Sequence, residues 1–211
     1  MSELHFEILP AEQRQLWQTL QEHAEKLHRH SFYLAGGTAL ALQVGHRQSV
    51  DLDFFSQTKD TAQDLLTWLE KVPGFTLRDR DADTIHASIH GVKISFIGAY
   101  KYPTVAPLVQ AEGLKIASLT DIGLMKLLAV IHRATQRDYI DIAVIIRDRV
   151  PLASLAEKAP QKYGAAFNIM ASLRALVSFS DLEAEMPIIL DQTIQNTWQE
   201  ILRTAVKKIA L

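Results

Sequence analysis

Two neighbouring stretches decide how this chain is read: Tyr33-Leu34-Ala35-Gly36-Gly37-Thr38 and Ser49-Val50-Asp51-Leu52-Asp53-Phe54-Phe55. In the first, an apolar run from Ser31 to Ala35 meets a glycine pair, the pattern of a strand entering a tight turn. Thr38 then opens a segment of small and apolar residues, Ala39 to Val44, that reads as a short helix. In the second, acid and apolar residues alternate from Val50 to Phe55, the period of a strand. Asp51 and Asp53 should therefore share one face, with Val50, Leu52 and Phe54 directed into the core.

Two carboxylates side by side repel unless a positive charge sits between them. A hard divalent cation with oxygen ligands, Mg²⁺ or Mn²⁺, is the natural occupant. Taken alone, Asp-x-Asp is more often a solvated strand face paired with Arg or Lys, and the glycine turn changes that balance. Gly36 and Gly37 let the backbone approach a phosphate, helix N-terminal amides point at it, and Thr38 adds a hydroxyl donor. The plainer use of the same residues is a turn and an N-cap. A phosphate cradle followed by paired acids is the apparatus of phosphoryl or nucleotidyl transfer.

Working outward, residues 10 to 29 carry Leu16, Leu20, His23 and Leu27 at helical spacing. Residues 60 to 71 read as a helix closed by Pro73-Gly74, and three strand-like pieces follow: Thr76 to Arg80, Thr84 to His90 and Val92 to Gly98. After a linker from Tyr100 to Pro107, the pattern is helical over 120 to 134, 136 to 148, 152 to 163, 166 to 178 and 191 to 209. The expected class is α+β: a mixed sheet flanked by helices over residues 1–110, then a helical half over 111–211.

Composition narrows the classes. Lys and Arg number 22 against 24 Asp and Glu, a formal charge of −2, so no overall basic surplus advertises a nucleic-acid surface. The chain has no cysteine, which excludes disulfides, thiolate zinc sites and a cysteine nucleophile. That fits a reducing cytoplasm. MSELHFEILP lacks the basic and apolar regions of a signal peptide, and no apolar run reaches the roughly 20 residues of a membrane helix, so no membrane association is expected.

A second constellation lies in the helical half. Lys126 interrupts the apolar run Ile122 to Ile131, and Arg133 follows seven residues later on the same expected helix face. A lysine among apolar neighbours needs an anionic partner or a route to water; a phosphate contact is the functional alternative. Thr135 and Asp138 have the spacing of a capping box. Asp138 and Asp141 share a face, within reach of Arg133 and Arg137.

GGTALAL…GHRQSVDLDFF resembles the first motif of the AbiEii/AbiGii toxin family of nucleotidyltransferases, within the DNA-polymerase-beta-like superfamily. The lead-in His46-Arg47-x-Ser49 resembles that family rather than the superfamily at large. Lys126, Arg133, Asp138 and Asp141 resemble its later motifs, so the likeness covers roughly residues 30 to 145. The resemblance implies a minimal nucleotidyltransferase core and the toxin of a bacterial toxin–antitoxin pair. Such an enzyme would bind Mg²⁺ or Mn²⁺ at Asp51 and Asp53, and an NTP through Gly36, Gly37, Thr38, Arg47, Ser49, Lys126 and Arg133. Asp138 and Asp141 would join the two acids and Lys126 in catalysis, with an RNA, such as a tRNA 3′ end, or a protein as acceptor and a cognate antitoxin as partner. The chain departs from the superfamily at Ser95, where an acid often stands on the strand after the hairpin. That departure leaves open a catalytically weak nucleotide-binding regulator. A phosphotransferase acting at the γ-phosphorus would use the same residues.

Overall fold

Short apolar stretches bounded by polar turns build one mixed sheet. Its strands are β1 Tyr33–Ala35, β2 Leu52–Phe55, β3 Phe75–Arg80, β4 Thr84–Ile89, β5 Val92–Ile97, β6 Val109–Ala111 and β7 Leu114–Ile116. They lie in the order β3-β4-β5-β2-β1-β7-β6. β2 runs antiparallel to β1 and parallel to β5, while β3, β4 and β5 form an antiparallel meander. The protein is described by a computed structural model covering residues 4–133, 135–165, 167–180, 182 and 187–209. The helix ends expected at 134 and 166 lie outside the described residues.

The chain divides into two compact units. The first comprises Met1–Val44, Ser49–Pro103 and Pro107–Ala117; the second comprises Gly45–Gln48, Thr104–Ala106 and Ser118–Leu211. The whole sheet belongs to the first unit, with helices α1 Ala11–Glu22, α2 Ala24–Arg29, α3 Gly36–Val44 and α4 Ala62–Leu69. Leu52 and Phe54 of β2, Ile94 and Phe96 of β5, and Ile85 and Ala87 of β4 are buried on one sheet face. Phe54 stacks on Phe96 at 5.4 Å between ring centroids, and Phe32 meets the same ring edge-on at 5.6 Å. Such pairs add about 0.5–1.5 kcal/mol beyond the area they bury.

Four local expectations give way. The strand carrying the acids begins at Leu52, not Val50, and Val50 is 60% exposed instead of packed in the core. Among the described residues no partner strand reaches back to residue 50 to hold it extended: pairing with β5 starts at Leu52. The first long helix is two helices broken at His23, whose ring bonds the Thr19 carbonyl at 3.0 Å. The glycine pair does not precede α3 but forms its first turn, with Gly36 at φ +70° carrying the chain from strand to helix. Finally, residues 109–116 form a hairpin, turning through Glu112 and Gly113, both at positive φ. Its three-residue strands are too short to show a period.

The second unit is helical: α5 Leu119–His132, α6 Gln136–Asp148, α7 Leu152–Tyr163, α8 Ile169–Ala175 and α9 Gln192–Ile209. α6 is its centre, with Tyr139, Ile140, Ile142, Ala143, Val144 and Ile145 buried. Buried charge is paired here. Asp121, fully buried, accepts hydrogen bonds from Lys162, Ser118 and the amides of Val105 and Ala106. Among the described residues no helix is long and apolar enough to cross a membrane.

Candidate active site

In the first unit, β1, the first turn of α3 and the start of β2 bring Gly36, Gly37, Thr38, Ser49, Asp51 and Asp53 together. Antiparallel pairing sets Ala35 opposite Asp53, so the strand that enters the glycine turn lies beside the strand that carries the acids. A Cβ on Gly36 would stand 3.5 Å from Asp53 Oδ2, which shows how closely the backbone approaches that carboxylate. Thr38 behaves differently from expectation. It is 1% exposed, its hydroxyl donates to the Asp51 carbonyl, and its oxygen lies 2.9 Å from Ser49 Oγ. The hydroxyl expected to reach a phosphate instead ties the Ser49–Asp51 segment to α3, because burial leaves it no route outward.

The acids fit a divalent cation. Asp51 Oδ1 is buried with no hydrogen-bond partner among the described residues, an acceptor that would be costly to leave unsatisfied unless a cation or a donor meets it. Among the described residues no group of three or more His, Cys, Asp or Glu gathers as a metal site. Mg²⁺ nevertheless needs only one or two carboxylates when waters and substrate phosphates complete its octahedron. β2 and β5 pair with Asp53 opposite Ser95, so the serine does stand beside the acid where a third carboxylate was considered. Ser95 Oγ lies 3.2 Å from His86 Nδ1 on β4, a neighbour that sequence reading missed. Its only sequence signal is its place on the polar face of an alternating strand.

Arg47, Lys126, Arg133, Asp138 and Asp141 belong to the second unit and form one buried network. Asp141, fully buried, accepts from Arg47 Nε at 2.6 Å, Arg47 Nη2 at 2.8 Å and His46 Nε2 at 2.8 Å. Lys126 Nζ stands 2.6 Å from both Asp138 and Asp141. Arg133 Nε donates to Asp138 at 2.8 Å. Two expectations are corrected. Arg133 does not share a helix face with Lys126, because α5 ends at His132 and Arg133 is extended. Thr135 and Asp138 do not form a capping box: the Thr135 hydroxyl donates to the Asp138 carboxylate rather than accepting from an amide.

Burial by itself would raise the Asp141 carboxyl, but the Arg47 and Lys126 charges and the bonds from Arg47 and His46 outweigh it and hold it well below the usual range. Asp138 is likewise held down, against burial, by Lys126 and by the Thr135 hydroxyl. His46 moves the other way from a typical paired histidine. Burial pushes it below its ordinary value despite its bond to Asp141, and its Nδ1 is buried with no hydrogen-bond partner among the described residues. Three cations thus meet two carboxylates, a local surplus of one positive charge. Arg133, with 53% of its side chain exposed, is the member open to solvent.

The sheet order, the strand–glycine–helix entry and the paired acids are those expected of a nucleotidyltransferase. The family model of the AbiEii nucleotidyl transferase toxin, from a type IV toxin–antitoxin system, matches residues 18–209, and the chain belongs to that family. An uncharacterised protein of Aquifex aeolicus is 28% identical over 182 residues, covering 84% of this chain and 86% of its own length. Two solved structures share the fold. One is MenT4, a nucleotidyltransferase toxin of Mycobacterium tuberculosis, with a TM-score of 0.60 and 15% identity over 90% of this chain and 83% of that one. The other is a candidate nucleotidyltransferase from H. pylori, with a TM-score of 0.53 and 20% identity over 92% of this chain and 96% of that one.

Proposed function

We propose that the chain is a toxin that transfers a nucleotide from an NTP to a hydroxyl of an RNA, such as a tRNA 3′ end. Asp51 and Asp53 would hold Mg²⁺ or Mn²⁺, and the main-chain amides of Gly36, Gly37 and Thr38 would hold phosphate oxygens at the start of α3. The observation that carries this reading is the buried, unpartnered Asp51 Oδ1 beside Asp53 at the glycine turn. A divalent cation there neutralises charge that develops on phosphoryl oxygens. Thr38 and Ser49 position the acidic segment through their hydroxyls. The second unit carries its own candidate anion contacts, Lys126 and Arg133, with Asp138 and Asp141 fixing their orientation and Arg47 locking Asp141 in place. The reading includes a cytoplasmic setting and a cognate antitoxin as partner, the latter supported by the toxin–antitoxin description of the family.

The test is incubation of the protein with each α-labelled NTP, Mg²⁺ and total cellular RNA. Label in RNA with release of pyrophosphate is expected for at least one NTP. Label in protein moves the acceptor to a polypeptide. Label only from a γ-labelled NTP makes the chain a phosphotransferase. Nucleotide binding without any transfer makes it a regulator, the reading favoured by Ser95 standing opposite Asp53.

A further inference from the structure

We propose that His86 is the proton acceptor for the attacking hydroxyl, working through Ser95; the inference rests on the transferase reading above. Strand pairing sets Asp53 of β2 opposite Ser95 of β5, and Ser95 opposite His86 of β4. Residues directly opposite on paired strands project from the same sheet face. Their sequence neighbours Leu52, Phe54, Ile94, Phe96, Ile85 and Ala87 are all buried on the other face. The row Asp53–Ser95–His86 therefore lies across the open face, with strands spaced about 4.8 Å apart. Ser95 Oγ and His86 Nδ1 are 3.2 Å apart, within hydrogen-bond distance, and the relay uses this contact with the serine hydroxyl as donor and Nδ1 as acceptor.

Phosphoryl chemistry needs the acceptor hydroxyl to lose a proton as it attacks, and Asp51 and Asp53 are poor takers if they hold a cation. Ser95 alone is a weak base. Paired with an imidazole it becomes a relay. The acceptor oxygen forms its bond to the α-phosphorus while the bond from that phosphorus to the bridging oxygen breaks and pyrophosphate leaves. The acceptor's proton passes to Ser95 Oγ as the serine's own proton passes to His86 Nδ1. The exposed ring then returns its proton to water. Atoms and charge balance, and no further reactant is required. Ser95 is thus the link to a base on the next strand, in place of a carboxylate.

The experiment is a double-mutant cycle, His86→Gln against Ser95→Ala, read as kcat and as NTP affinity in Mg²⁺, with Asp53→Asn as reference. Each single change is expected to lower kcat roughly 100-fold, the scale of one general base, with NTP affinity within about threefold of wild type. The double variant is expected to be about as slow as either single one, because both cut the same relay. Multiplying losses, a kcat for His86→Gln within about threefold of wild type, or a loss confined to NTP affinity would overturn the proposal. Full kcat in His86→Gln beside an inactive Asp53→Asn sinks the relay and leaves the transferase standing. Full transfer by Asp53→Asn sinks the reading beneath both.

Discussion

Asp141→Asn should unfold the second unit's buried network far more than its one-atom change implies. The carboxylate receives donors from His46, from Arg47 twice and from Lys126, all within 2.6 to 2.8 Å and none exposed on the aspartate's side. Asparagine removes the charge that balances Arg47 and Lys126 and turns an NH₂ toward atoms that are already donors. Removing one partner of a buried ion pair costs about 3–5 kcal/mol because the other charge stays buried. In a chain of 211 residues each kcal/mol is worth roughly 2–4 °C, so the melting temperature should fall by about 6–20 °C. The assay is thermal unfolding by circular dichroism near neutral pH, with the double variant Lys126→Met/Asp141→Asn alongside. The double variant should lose less than the two single losses combined, since it no longer leaves the ammonium stranded. A melting temperature for Asp141→Asn within about 2 °C of wild type would refute the argument that this carboxylate neutralises the network.

The same network sets a pH dependence. Asp138 and Asp141 are held low when folded, so their stabilisation is present above the unfolded carboxyl range near pH 4 and disappears as pH falls through the lower folded values. His46 is also held low, so the unfolded chain takes up its proton near pH 6.5 while the folded one resists; stability should already decline below about pH 6.5, and His46→Gln should flatten that upper limb in pH-dependent melts. Asp51→Asn or Asp53→Asn should abolish transfer with little change in melting temperature, because relieved repulsion offsets any lost contact; full activity in Mg²⁺ alone defeats the assignment. Lys126→Ala should lower both the melting temperature and, at a temperature where it stays folded, NTP affinity by roughly ten- to a hundredfold; unchanged affinity by calorimetry makes it a strut only. Ser49→Asp should slow transfer more than Ser49→Ala, because a negative charge at the position whose hydroxyl now meets Thr38 in the acidic segment repels an incoming triphosphate; equal rates leave Ser49 a link in the loop.

The sequence by itself carried the elements that rest on local chemistry. α6 at Gln136–Asp148 and α7 at Leu152–Tyr163 fell where their apolar spacing put them, because one long face of each is buried and repeats at the helical period. The glycine pair and Asp51-Leu52-Asp53 pointed to the candidate site for the same reason: close backbone approach and paired acids are written in residue type and spacing. Tertiary structure alone decided what depends on pairing across distance. Val50 left the core because among the described residues no strand pairs with it, and residues 109–116 became strands through a two-residue turn and the edge of a sheet. Arg47 and Asp141, 94 positions apart, have no signal of their mutual burial until the chain folds. His86 shows the same limit. Its place on the polar face of an alternating strand says nothing of its partner, and it stands beside Ser95 and the acid row only because an antiparallel hairpin and a parallel crossover set three strands in one register.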